Sequence, residues 1–233
     1  MTPQKDIPEL LTVVVPVHLL FPELAQVRAS LQRATSPCEV LLVVPEPLKH
    51  SIGQLLPRER LIASSKKGRG QMLAEGVRQA RGTIIVFVHA DTILPDHWDH
   101  AILGSLRDED VIGGGFSLTM DTTNGFLRLL IKLSDLLFLI TGELWGDRAL
   151  FVRASFVTQH LKEFEIPMME DVRLTLLMQK VGKVVLLKQK VVTSARTFRA
   201  YGLLFNAVRV LLVRLWYGVG RDPQKIYDYY YRQ

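Results

Sequence analysis

The chain has 233 residues, a hydrophobic fraction of 48%, a formal net charge of +6 and a pI near 9.5, which is enough length to bury a sizeable core. The basic balance favours an anionic partner, namely a nucleotide phosphate or an anionic lipid. Because no zinc finger, RNP motif or long basic tract occurs, we expect no nucleic-acid partner. The single cysteine, Cys38, excludes an internal disulfide framework.

The N-terminal segment carries Asp6 and Glu9 ahead of a short apolar run that Pro16 interrupts. This pattern lacks the charge and apolar features of a signal peptide. Together with the lone cysteine, it leads us to expect a cytoplasmic protein in a reducing compartment.

The first half of the chain alternates short β-type runs with helical patterns. Short connections between such elements predict a mostly parallel sheet with right-handed crossovers. Strands are predicted over residues 11–15, 39–44, 60–63 and 83–88, and helices over residues 23–33, 71–80 and a segment opened by Pro95.

The pattern changes after about residue 110, which indicates an acceptor-side second half following a nucleotide-binding first half. We predict strands over residues 111–120, 149–153 and 184–192, helices over residues 125–140 and 170–181, and a long amphipathic segment from residue 199 onward.

The run TIIVFVHADTILP, which begins at Thr83, is the most informative stretch. Its unbroken apolar part is typical of a strand covered on both faces of a parallel sheet. His89 and Asp91 follow directly, where open α/β sheets bind their ligands. Both side chains are competent ligands for a divalent ion. Alternatively, Asp91 closes an Asx turn and His89 is a satisfied polar residue of the sheet.

Two further segments carry candidate chemistry. The basic turn KKGRGQ opens a helix, where the backbone amides at Gly68 and the Arg69 side chain suit a pyrophosphate; a solvated basic turn is the alternative. Glu170 and Asp171 begin the helix predicted over residues 170–181. One of them is a candidate general base, unless both merely complement the helix dipole.

In this order the motifs resemble those of the inverting family-2 glycosyltransferases of the GT-A fold, most closely the radical-SAM/selenodomain-associated branch. The resemblance spans most of the chain. It depends on VVVP, GRG, FVHADTILP, GGGFSL, WGDRALFVR, PMMEDVRLTLLMQKVGKVVLL and VVTSARTFRAYG.

The resemblance implies a GT-A-type Rossmann-like sheet and a single displacement at the anomeric carbon of a nucleotide-diphosphate sugar, with an unknown acceptor. Asp171, in the pair with Glu170, matches the base. Asp91 matches the carboxylate that anchors Mg²⁺ or Mn²⁺, with His89 beside it. The resemblance further implies donor- or acceptor-side roles for Pro16, Glu46, Gly68, Arg69, Asp147 and Arg196.

The chain departs from the family pattern on the nucleotide side. Val17-His18-Leu19 replaces the usual segment after the first strand, Glu46 is the one acidic residue in the turn after the second, and Ala74 stands where an Asn is usual. A non-catalytic GT-A descendant that binds a ligand or partner at the membrane surface is therefore the alternative function.

The C-terminal segment from residue 199 to 233 is predicted to be an amphipathic extension of a GT-A-like region spanning residues 1–198. Arg209 and Arg214 interrupt its apolar stretch, which argues against a spanning helix. Basic and aromatic residues on an apolar helix suit the inner face of a membrane. Packing on the rest of the chain, or against a partner in a homodimer, is the alternative. The helix over residues 125–140 is expected to be a core or interface helix.

Overall fold

A computed structural model describes residues 10–66 and 68–231. Asp6, Glu9 and Lys67 of the basic turn lie outside the described residues. The strands are β1 (Leu11–Pro16), β2 (Cys38–Pro45), β3 (Glu59–Ser64), β4 (Ile84–Phe87), β5 (Thr92–Ile93), β6 (Val111–Met120), β7 (Phe151–Arg153) and β8 (Lys183–Thr193).

The helices follow the predicted alternation. They are α1 (Glu23–Leu31), α2 (Arg69–Gln79), α3 (Trp98–Ser105), α4 (Gly125–Thr141), α5 (Ala154–Gln159), α6 (Leu161–Phe164), α7 (Glu170–Met178), α8 (Arg196–Tyr201), α9 (Leu203–Gly218) and α10 (Pro223–Tyr231), with 3₁₀ turns at Glu46–Ser51 and Gly146–Arg148.

The strands form one mixed sheet in the order β3-β2-β1-β4-β7-β6-β8-β5. Parallel pairing joins β3, β2, β1 and β4 and also joins β6 to β8, whereas β7 and β5 pair antiparallel to their neighbours. Apolar residues are buried on both faces of the sheet, under α1 and α3 on one side and under α2 and α7 on the other. The predicted sheet flanked by helices is confirmed.

The predicted long C-terminal segment is divided into α8, α9 and α10. Gly202 and Gly220 take positive φ values of 83° and 81°, a conformation that costs glycine little and ends each helical run. Val213 of α9 and Ile226 of α10 share a small apolar core with Met168, Met169 and Val172 beside the start of α7. The C-terminal helices therefore pack against the segment that carries Glu170 and Asp171.

Helices α4 and α9 each leave an apolar row exposed. The α4 stripe consists of Phe126, Leu129, Leu133, Leu136, Leu137 and Ile140, and the α9 stripe of Leu204, Val208, Leu211, Leu212, Leu215 and Val219. Ile140 and Val219 keep 78% and 82% of their surface exposed. Helix α4 thus contributes Leu127, Ile131 and Phe138 to the core and leaves its opposite face exposed. No helix within residues 10–66 and 68–231 combines the length and apolar content needed to cross a bilayer.

Arg148 joins α4 to the 3₁₀ turn at Gly146–Arg148. Its guanidinium is buried and donates to Asp135 Oδ1 at 2.6 Å, to Ser134 Oγ at 2.7 Å and to the Phe116 carbonyl at 3.3 Å. A buried charge is tolerated when its donors are satisfied in this way. The turn and the helix are therefore fixed to each other.

Candidate active site

The predicted polar residues meet at one edge of the sheet. Strands β1 and β4 are parallel neighbours, so their carboxyl ends lie side by side. His18 follows β1, and His89 and Asp91 follow β4. The Asp91 carbonyl accepts from Ser194 N at 3.2 Å, which ties this turn to the end of β8. The edge therefore holds two imidazoles and a carboxylate.

Gly146 is the point at which the end of β4 meets the start of α7. Its backbone N–H donates to Asp171 Oδ2 at 2.6 Å. A Cβ atom at this position would lie 2.7 Å from His89 Nε2 and 3.1 Å from Asp171 Oδ2. His89 and Asp171 thus approach the same small space, which only a residue without a side chain leaves open.

Arg69 is held by both predicted base candidates. Its Nε pairs with Glu170 Oε1, and its Nη2 lies 3.2 Å from Asp171 Oδ2. Its backbone N–H donates to the Pro167 carbonyl at 3.1 Å, and Gly68 N donates to the Gln71 side chain at 3.2 Å. The groups expected to bind a pyrophosphate are engaged within the protein, because the turn before α7 packs onto the start of α2.

The carboxylates differ in their surroundings. Glu170 is 1% exposed, and burial raises its pKa to about 7 despite the ion pair with Arg69. Burial also raises the pKa of Asp147 to about 6, and its Oδ1 has no hydrogen-bond partner among residues 10–66 and 68–231. Asp171 accepts from Val172 N through Oδ1 at 2.7 Å, so hydrogen bonds hold its carboxylate in one orientation.

Both histidines have lowered pKa values, which favours the neutral imidazole. Burial, reinforced by the positive charge of Arg69, lowers the pKa of His18 to about 4 and that of His89 well below its usual value. His18 Nε2 has no hydrogen-bond partner within the described part of the chain. Sequence reasoning treated His18 only as a departure from the family pattern; its position after a buried strand was the signal that it belongs to the site.

Arg196 bridges Asp91 to a residue that the sequence did not single out. Its guanidinium lies 3.1 Å from Glu23 Oε2, 3.6 Å from Asp91 Oδ2 and 3.4 Å from the centre of the Phe21 ring. A cavity of about 310 Å³ opens here, lined by Glu23, Asp91 and Asp121 among others. The cavity is therefore lined by three carboxylates, two of which, Glu23 and Asp91, pair with Arg196.

Asp91 and His89 are candidates for holding a divalent ion. Burial raises the pKa of Asp91, and the carboxylate remains partly exposed. Across residues 10–66 and 68–231, no three His, Cys, Asp or Glu side chains are arranged to hold a metal. Mg²⁺ is commonly bound by one or two carboxylates, substrate phosphates and water, and the carboxylate of Asp91 fits such a set.

Two of the expected donor-side residues, Pro16 and Glu46, lie at the carboxyl ends of β1 and β2. Pro16 is buried at the end of β1, paired in register with Val43 of β2. Glu46 is exposed at the start of its 3₁₀ turn, where it faces Lys49 at 3.9 Å. Their predicted contacts with the nucleotide stay predictions.

The start of α7 is built on a strained residue. Met169 precedes Glu170 with φ 68° and ψ 18°, a left-handed conformation that is uncommon for a side chain of this size. Such strain costs on the order of 1–3 kcal/mol and persists where surrounding packing imposes it. Here the packing comes from Val213 and Ile226 of the C-terminal helices.

The fold is of the GT-A glycosyltransferase type. It is similar to two crystal structures of TarS from S. aureus, both at 13% identity over 88% of this chain: the fragment 1–349, with a TM-score of 0.57, and a longer form, with a TM-score of 0.55. The chain spans 65% and 39% of those two structures. No curated protein sequence matches it. Residues 12–162 match the family described as glycosyl transferase family 2, and the chain belongs to that family.

Proposed function

We propose that the protein is an inverting glycosyltransferase that uses a nucleotide-diphosphate sugar. The observation that carries the proposal is the meeting of His89 and Asp171 at Gly146, beside Asp91. The acceptor hydroxyl oxygen forms a bond to the anomeric carbon while the bond from that carbon to the diphosphate breaks. The base takes the hydroxyl proton, and the nucleoside diphosphate leaves with the bonding electron pair.

Asp171 is the proposed base. Three donors, from Gly146, Val172 and Arg69, orient its carboxylate, while lone pairs remain to accept a proton. Glu170 is less suited because it is almost completely enclosed and paired with Arg69. Asp147, which lies on the neighbouring turn, is the proposed contact to the acceptor.

Asp91 and His89 are the proposed ligands of Mg²⁺ or Mn²⁺. When bound, such an ion would neutralise charge on the leaving diphosphate. Arg196 and Arg69 add positive charge at the same edge of the sheet, which stabilises the developing charge electrostatically. Gly68, Pro16 and Glu46 keep their proposed donor-side roles.

The acceptor is proposed to be membrane-proximal, with the protein bound peripherally to the cytoplasmic face of a membrane. The exposed α4 and α9 stripes support this, since apolar rows flanked by basic residues suit a bilayer interface. Arg128 and Lys132 are exposed beside the α4 stripe, and the chain is cationic overall. Residues 1–198 would then form the transferase region and 199–233 its extension. We also propose membership of the radical-SAM/selenodomain-associated branch, on the HADT, MED and SAR motifs.

A non-catalytic GT-A descendant is the second candidate. The pairing of Arg69 with Glu170 and Asp171, and of Glu46 with Lys49, favours it, because these donor-side groups are then engaged with protein partners. The two candidates differ in one measurable respect: only the transferase should turn over a donor.

A thermal-shift screen of nucleotide sugars, with and without Mn²⁺ or Mg²⁺, tests the proposal. A ligand that binds the native state raises the Tm by mass action. We expect at least one nucleotide sugar to raise the Tm more when the ion is present, and the matching donor to be consumed with a suitable acceptor. Binding without turnover of any pair, or no binding of any nucleotide sugar, would contradict the transferase and favour the non-catalytic descendant.

A further inference from the structure

A second cavity, of about 490 Å³, lies between α7 and the corner that joins α9 to α10. This volume is typical of small-molecule sites. It is lined by Glu143, Ile166, Arg173, Leu176, Arg214, Tyr217, Gly218, Gly220, Arg221 and Pro223.

The cavity carries excess positive charge. Arg214 is neutralised by Glu143, to which its Nε donates at 2.9 Å. The ion pair of Arg173 is a long one, with Nη2 lying 3.9 Å from Glu163 Oε2. Arg221 lies over the Trp216 ring, 4.2 Å from its centre, and forms no ion pair with any residue in the described ranges. Two guanidinium groups therefore lack a close counter-ion.

Guanidinium groups bind phosphate oxygens through paired N–H donors, and stacking on an aromatic ring orients them for this. The remaining walls are mostly apolar, from Ile166, Leu176 and Pro223. This combination fits a phosphate group attached to an apolar moiety. A neutral sugar offers no negative charge to these two guanidinium groups.

The cavity and the proposed base share helix α7. Arg173, which lines the cavity, and Asp171 lie in the first turns of that helix, and Tyr217 of α9 forms another part of the cavity wall. Glu143 follows α4 and Arg214 belongs to α9, so the two helices with exposed apolar stripes flank the cavity.

We propose that this cavity binds the phosphate group of the acceptor, with Arg173 and Arg221 as its ligands. That the phosphate belongs to an acceptor depends on the proposed transferase function. Phosphate binding in this cavity does not. The phosphate belongs either to a lipid headgroup at a membrane surface or to a soluble phosphate monoester.

The test compares wild-type protein with the variants Arg173→Gln and Arg221→Gln. Lys225→Gln is the matched control, because Lys225 is an exposed cation on α10 that does not line the cavity. The probes are glycerol 3-phosphate, measured by calorimetry, and phosphatidylcholine vesicles with and without phosphatidic acid, measured by co-sedimentation. Circular dichroism checks that each variant is folded.

We expect each arginine variant to weaken phosphate binding about tenfold, as the loss of one charge-assisted hydrogen bond implies, and Lys225→Gln to leave it unchanged. If the arginine variants lose binding to glycerol 3-phosphate, the ligand is a soluble phosphate. If they lose binding only to the vesicles that contain phosphatidic acid, the ligand is a lipid headgroup. Equal binding by all four proteins, or an equal loss in the control, would overturn the proposal. Nucleotide-sugar binding in the thermal-shift screen should not change in either arginine variant, so this site and the donor site fail independently.

Discussion

Gly146→Ala tests whether His89 and Asp171 act together in the site. The new Cβ would lie 2.7 Å from His89 Nε2, whereas ordinary contacts begin at 3.4 Å, so the ring must move by about 0.7 Å. Asp171 Oδ2, at 3.1 Å, must also shift. Gly146 does not have a positive φ, so its backbone conformation accepts alanine.

A misplacement on the order of 1 Å costs about 10²-fold in rate when it affects the reacting groups. We therefore expect Gly146→Ala to lower kcat/KM roughly 10- to 100-fold with the donor and acceptor pair that the screen identifies. Nitrogen NMR of the His89 ring provides a readout that does not require turnover, because a displaced ring changes its chemical shifts.

Gly104→Ala is the matched control, since nothing lies within 4 Å of its added Cβ atom in α3. Alanine in place of this glycine in the last turn of α3 should not destabilise the fold and should leave the rate unchanged. Full activity of Gly146→Ala with an unshifted His89 signal would refute the assignment of this junction as the reaction centre.

Asp171→Asn should lower turnover about 10²- to 10⁴-fold, as loss of a general base does, with donor affinity close to wild type, and Glu170→Gln should cost less. Full transfer by Asp171→Asn in a single-turnover assay would reject Asp171 as the base. Asp91→Ala should abolish the ion-dependent part of nucleotide binding while circular dichroism stays unchanged; a retained ion dependence would show that the anchor lies elsewhere. Because burial raises the pKa of Asp147 from 3.8 to about 6, its stabilising effect is present below about pH 4 and is lost as the pH rises through 6. Between pH 4 and 7, the unfolding free energy of Asp147→Asn should therefore fall by roughly 2–3 kcal/mol less than that of the wild type. A Tm that falls with pH as steeply in the variant as in the wild type would contradict this. The protein should co-sediment with anionic vesicles at low salt and less so at high salt; an absence of binding, with dimers seen in sedimentation velocity, would instead assign the two stripes to a second copy.

Strands β1, β2 and β4 were predictable because each is a buried apolar run with a clear stop. The strand at residues 83–88 and the polar residues after it were placed correctly, as β4 followed by His89 and Asp91. The strand predicted at residues 149–153 begins later, since Ala149 takes a left-handed conformation after the 3₁₀ turn. Helices α5 and α6 and the two-residue β5 were missed, because elements this short carry no periodic signal.

The residues of the site were more predictable than their partners. The sequence singled out Asp91, Asp171 and Arg69, each beside a predicted element boundary. It did not indicate that Arg69 pairs with carboxylates that are 101 and 102 residues away, or that Arg196 bridges Asp91 to Glu23. Such pairings depend on how the turn before α7 packs onto α2, which no local pattern encodes.

Arg148 has a geometric consequence for any surface that α4 rests on. Its buried guanidinium donates to Ser134 and Asp135 of α4, and Arg148 belongs to the same 3₁₀ turn as Gly146. Helix α4 therefore cannot shift relative to this turn without breaking several hydrogen bonds at once. The distance between the proposed reaction centre and the α4 stripe is therefore fixed by the fold. In the proposed membrane-bound state, this fixed distance favours acceptors whose hydroxyl group lies at the same distance from the bilayer.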